Sequence, residues 1–128
     1  MRGDRVQALQ LLGAAFLLVG GAVHLQLSFD DYGTGDIDRT FAINALASAL
    51  VAGYLALRRD PIGPLAGIAV SVGTLVAFAL SRTGDGLLDF RATGLEPSPQ
   101  AVLALVAEVA AVVVLVLALL LARRSRVP

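Results

Sequence analysis

The stretch PQAVLALVAEVAAVVVLVLALLLA, residues 99–122, decides the fold. Its one ionisable side chain is Glu108. A helix rising about 1.5 Å per residue needs about 20 apolar residues to cross a hydrocarbon layer of about 30 Å. This stretch exceeds that length. It also lacks the apolar–polar alternation of a membrane barrel strand. It therefore reads as a transmembrane helix. Ser98-Pro99-Gln100 ahead of it reads as an N-cap followed by a proline in the first helical position. Arg123, Arg124 and Arg126 behind it read as an anchor at anionic headgroups.

Three further stretches share this character, at residues 6–29, 39–58 and 62–81. The second is shortest in apolar residues and reaches full length if Asp38, Arg39 and Thr40 form its first turn. Asp36 or Asp38 is expected to cap it. Asp60-Pro61 and Gly63-Pro64 punctuate the chain before the third. Hydrophobic residues make up 57% and charged residues 16% of the 128-residue chain, with a mean hydropathy of +0.80. Soluble domains run at about 45–50% apolar and about 25% charged. The expected fold is therefore all-α: one transmembrane domain over residues 1–128, a four-helix up-down antiparallel bundle with outer loops at 30–38 and 82–98. The absence of cysteine excludes a disulfide framework and thiol chemistry. A net charge of zero leaves no basic surface for nucleic acid.

All ten basic residues are arginine. Seven of them (Arg2, Arg5, Arg58, Arg59, Arg123, Arg124 and Arg126) fall at one end of the expected bundle, and Arg39, Arg82 and Arg91 at the other. The positive-inside rule then puts both termini in the cytoplasm of a bacterial plasma membrane. The first stretch also has features of a signal peptide, with Gly20-x-Ala22 as a small-residue site. Its apolar run exceeds the usual 7–15-residue signal core, so it is read as a retained helix. The loop Asp30-Asp31-Tyr32-Gly33-Thr34-Gly35-Asp36-Ile37-Asp38 is rich in carboxylates, but its spacing does not match a calcium-binding EF-hand loop. It reads as a solvated acidic turn with helix caps. Leu87-Leu88-Asp89-Phe90-Arg91 reads either as an amphipathic segment on the outer interface or as a plain connector.

Helices in lipid associate through small residues that let backbones approach. Gly63, Gly67 and Ser71 recur at spacing four and form such a stripe. Ala104, Ala107 and Ala111 surround Glu108 in the same way. Three polar residues at membrane depth invite a functional reading: His24, Asn44 and Glu108. A charge at the bilayer centre costs about 2.5–3.5 kcal/mol on the insertion scale, so such groups turn inward. His24 has Gly20 and Gly21 one turn before it, and Asn44 lies between Thr40 and Ser48. The first and fourth helices are neighbours in an up-down bundle. A His24–Glu108 contact in the outer half, with Asn44 nearby, is therefore expected. One histidine, one glutamate and one asparagine are too thin a set to imply a metal or a haem, and no cofactor is expected.

The pattern Gly21-x-x-His24-Leu25, Tyr32, Phe41-x-x-Asn44-Ala45, Leu80-Ser81-Arg82, Gly86 to Arg91 and Ala107-Glu108 resembles small uncharacterised four-helix membrane proteins of high-GC actinobacteria. That resemblance implies the fold and the membrane location and brings no catalytic residues. The chain departs from the group at Gly33-Thr34-Gly35-Asp36, where proline and a further aromatic are common. Small multidrug transporters share the size, but they carry their essential glutamate in the first helix.

Three functions compete. The first is a non-catalytic structural or accessory subunit, partnered by the bilayer and by further copies of itself or a larger membrane complex. The second is a small oligomeric transporter or proton-coupled permease using Glu108 and His24. The third is a redox component holding quinone or haem near His24.

Overall fold

The computed structural model describes residues 1–30 and 35–126. They form α1 (Arg2–Phe29), α2 (Gly35–Leu57), α3 (Ile62–Ser81) and α4 (Gln100–Arg124). All four helices are long and apolar enough to cross a membrane. The protein is an all-helical four-helix membrane bundle. Residues 31–34, which include Asp31 and Tyr32 of the acidic loop, lie outside the described residues.

Two expected helix starts are corrected. α2 begins at Gly35, so Asp36 and Asp38 sit inside its first turn instead of ahead of it. They still place negative charge at the positive end of the helix. Ser98 does not cap α4; Pro99 holds that position and no side chain caps the helix. The Pro97 carbonyl accepts from the Ala101 amide at 2.8 Å, so one first-turn amide is satisfied by backbone, and the Leu103 amide makes the first regular helix bond to the Pro99 carbonyl at 3.0 Å.

α1 packs broadly against both α2 and α4, and α3 rests mainly on α4. α2 and α3 touch over a shorter length. The core is built from Ala14, Leu17, Ala52, Leu55, Ala111 and Leu115. Leu115 of α4 is fully buried. It lies in a seat made by Gly13 of α1 and Gly67 of α3, with Leu17 alongside. On α3, Gly63, Gly67 and Ser71 are all buried, and together they form the helix's inward stripe. Gly21 of α1 faces Ser48 and the Ala45 backbone of α2. Ile43, Leu46 and Leu50 are more than 60% exposed along the outer side of α2, as a surface that meets lipid requires.

The start of α1 and the end of α4 lie at one end of the bundle, the terminal end, where Arg2 donates to the Arg124 carbonyl and Arg59 to Gln7. The opposite end, the loop end, carries residues 82–98. That loop is tied down by Arg82. Its guanidinium donates to the carbonyls of Gly94 and Glu96 and to Ser81 Oγ, and lies 3.6 Å from the Phe78 ring centroid. Leu87 and Phe90 exchange two backbone hydrogen bonds of 2.9 and 2.8 Å around a tight turn. Leu88 and Asp89 between them have positive φ, the combination that a type I′ turn requires. The segment is thus a closed turn, and Phe90 packs edge-on against Phe41 of α2 at 6.4 Å.

The glycine seat can be tested by two substitutions on one helix. A Cβ at position 67 would lie 2.5 Å from Leu115 Cδ1 and 3.3 Å from Leu17 Cδ1. Leu115 cannot swing away without meeting Gly13. Gly67→Ala should therefore destabilise the bundle by about 1–3 kcal/mol, the usual cost of overpacking. Gly73→Ala, with nothing within 4 Å of the new carbon, should be neutral or gain up to about 1 kcal/mol from helix propensity. Thermal unfolding in detergent, followed by circular dichroism, should rank the two in that order.

Candidate functional site

Glu108 is 1% exposed and is the ninth residue of the 25-residue α4, counted from the loop end. Its carboxyl lies against Gly20 of α1, where a Cβ would come within 2.5 Å of Oε1. The glycine thus clears the space that the carboxyl fills. Ser71 of α3 faces the carboxyl, but neither side chain completes a hydrogen bond of good geometry. Both carboxyl oxygens and Ser71 Oγ are buried without a partner among the described residues. An unsatisfied buried polar group costs about 1–3 kcal/mol.

His24 does not meet Glu108, which corrects the expected contact. Its Nδ1 lies 2.7 Å from the Gly20 carbonyl. A carbonyl only accepts, so Nδ1 carries the proton and donates. In the neutral ring that leaves Nε2 as an acceptor, with no protein partner among the described residues. The ring packs against Phe41 at a centroid distance of 5.6 Å. Gly20 thus separates the two groups, its missing side chain making room for Glu108 and its carbonyl holding His24.

Asn44 turns away from Glu108 as well. Its amide donates to Thr74 Oγ1 on α3 at 2.6 Å, and Thr74 donates in turn to the Val70 carbonyl at 2.7 Å. Ser48 Oγ adds a longer bond of 3.4 Å to Asn44 Oδ1. This chain of donors pins α2 to α3 and ends on a helix carbonyl. It satisfies each hydroxyl in turn, as a buried polar chain must.

His24, Asn44 and Thr74 share a cleft of about 340 Å³ at the loop end. The cleft lies between α2 and α3, which pack less extensively than the other sequence-adjacent or terminal helix pairs. Phe41 and Ile43 of α2 form one wall, Val70 and Phe78 of α3 the other, and Phe90 and Pro97 of the loop the roof. Ile43 is 66% exposed, so the cleft opens sideways between the helices, onto the lipid-facing surface. Its lining is mainly apolar, with a few polar groups at depth, as in most small-molecule sites. Among the described residues no three of His, Cys, Asp and Glu come together as metal ligands.

The structure therefore divides the expected trio. His24 and Asn44 belong to the cleft, while Glu108 belongs to a closed position against α1 and α3. The sequence reading does not single out Thr74 or Phe78, and it names Phe90 only within the Leu87 to Arg91 segment. Thr74 carried a readable signal, since it is the one polar residue between Ser71 and Ser81 of α3. Phe90 lies far along the chain from α2 and reaches the cleft only because the loop folds back.

Glu108→Gln should retain the fold. Glutamine matches the shape of glutamate without its charge, and interhelical hydrogen bonds in membranes average only about 0.6 kcal/mol. The melting temperature in detergent should move by no more than a few degrees. A collapse of the bundle would show that the carboxyl itself is required. No protein family, curated protein or solved structure matches the chain.

Proposed function

We propose that this is a non-catalytic, multi-pass plasma-membrane protein that holds a lipid-soluble molecule with a polar head in its loop-end cleft, as an accessory component of the membrane. One observation carries the reading: a side-opening apolar cleft with an acceptor, His24 Nε2, and an amide, Asn44, at its inner end. A volume of about 340 Å³ suits a ring-sized head, at the small end of ordinary ligand sites. A tail would leave between α2 and α3 into lipid. A quinone has this chemistry, with carbonyls to accept from Asn44 and, when reduced, a hydroxyl to donate to His24. Residues 109–122 of α4 contain no polar side chain, which leaves Glu108 without a proton relay towards the terminal end and favours binding over transport.

Gly73 lines the cleft and has open space where a side chain would begin. Gly73→Leu should therefore fill the cleft and leave the bundle intact. Purified from native membranes and extracted with solvent, the unaltered protein should release an amphiphile at near one per chain, seen by mass spectrometry and ultraviolet absorption. Gly73→Leu should release at least tenfold less. Equal release from both proteins, or none from either, would overturn the proposal.

We further propose that both termini are cytoplasmic, on the strength of the seven-to-three arginine asymmetry between the two ends. Epitope tags at Met1 and Pro128 should both resist protease added outside sealed cells. Digestion of either tag in intact cells would reverse this orientation.

A further inference from the structure

A second groove, of about 290 Å³, lies at the terminal end, far from the cleft. The first turn of α3 and the last turns of α4 form it, with Gln10 of α1 at its base. Three guanidiniums border it, those of Arg59, Arg123 and Arg126. Arg59 spends one arm on Gln7 Oε1 at 2.6 Å. The side chains of Arg123 and Arg126 have no hydrogen bond or ion pair among the described residues. The helix ends do not set the sign of this site, because the positive end of α3 and the negative end of α4 meet there and oppose one another. The arginines set it.

Among the described residues the groove contains one carboxylate, Asp60, and that group is already committed. It accepts from Tyr54 Oη at 2.6 Å and from the Ile62 amide at 3.0 Å, and lies 3.7 Å from Arg58 Nε. The Tyr54 hydroxyl bond holds the Asp60 carboxyl below the usual carboxylate range, helped by the Ile62 amide and Arg58. Its charge is bound to its own turn.

Gln10 is only 3% exposed, and its side-chain carbonyl has no partner among the described residues. A buried acceptor facing a groove is a place for a donor from outside the protein. Leu65, which is 56% exposed, and Leu119 continue the groove onto the lipid-facing surface. A soluble anion would leave these side chains bare, whereas an acyl chain would cover them.

We propose that this groove binds the headgroup of an anionic phospholipid whose polar head carries hydroxyl donors. The phosphate lies among Arg59, Arg123 and Arg126, a headgroup hydroxyl reaches the Gln10 carbonyl, and an acyl chain runs along Leu65 and Leu119. Guanidinium groups suit phosphate because their paired N–H groups match two oxygens at once.

Native mass spectrometry of the detergent-solubilised chain tests this, with phosphatidylglycerol and phosphatidylcholine of identical acyl chains as probes. Phosphatidylglycerol should be retained about tenfold better, as expected when two or more basic groups engage the added charge. The Arg123→Gln/Arg126→Gln double variant should lose that preference. Both side chains are exposed, so the fold should survive. Arg2→Gln/Arg5→Gln removes the same charge outside the groove and should keep the preference. Equal losses in the two double variants would show a diffuse basic face and overturn the site. Displacement of the lipid by millimolar inorganic phosphate would show a site for free anions and overturn the lipid assignment. Retention of phosphatidylglycerol by Gln10→Leu at full strength would remove the headgroup hydroxyl from the proposal.

Discussion

Leu115 resting between Gly13 and Gly67 is the contact on which this bundle depends. In water a leucine drives helices together by leaving solvent. In a bilayer lipid tails offer it the same surroundings, and only close packing and a few polar bonds favour a protein neighbour. Two glycines on different helices allow one α4 side chain to touch α1 and α3 at the same depth. That fixes the register of three helices at once. α2 joins separately, through Ser48 and Ala45 against Gly21 and through the Asn44–Thr74 bond. The looser joint between α2 and α3 follows from this arrangement, and the cleft occupies it.

The same register decides where each polar group goes. From Leu115, α4 runs about two turns back to Glu108, and α1 from Gly13 about two turns on to Gly20. The carboxyl and the glycine therefore meet. His24 lies one turn beyond, on the side of α1 that faces α2, so it falls into the cleft. Small residues here separate polar groups as well as letting backbones approach. Had position 20 carried a side chain, Glu108 would have been displaced and the α1–α4 contact opened.

Much of the fold was legible in the sequence, because length and hydropathy alone decide whether a helix can cross a bilayer. Gly63, Gly67 and Ser71 announced the packing stripe of α3 by their spacing. The inward direction of Glu108 followed from the alanines around it. What the sequence did not show was azimuth. Two residues on neighbouring helices can approach the same residue and still take different partners, as His24 does with the Gly20 carbonyl and Glu108 with the space beside its Cα. Spacing gives the face of one helix but not its rotation against the next. The start of α4 differs from the sequence reading because a backbone carbonyl, that of Pro97, takes a first-turn amide that a serine side chain takes elsewhere. The loop was harder still, since nothing local to Phe90 says that it packs on Phe41.

The Arg82 strap has a further consequence. By tying residues 82–98 across the end of α3, it roofs part of the cleft at the loop end, and among the described residues the gap between α2 and α3 offers a way in. A molecule using that way arrives by lateral diffusion within the membrane. The quantity that governs filling is then the mole fraction of that molecule among the lipids, not its molarity in water. Diluting a suspension of membranes would leave such a site filled, whereas adding inert lipid would empty it.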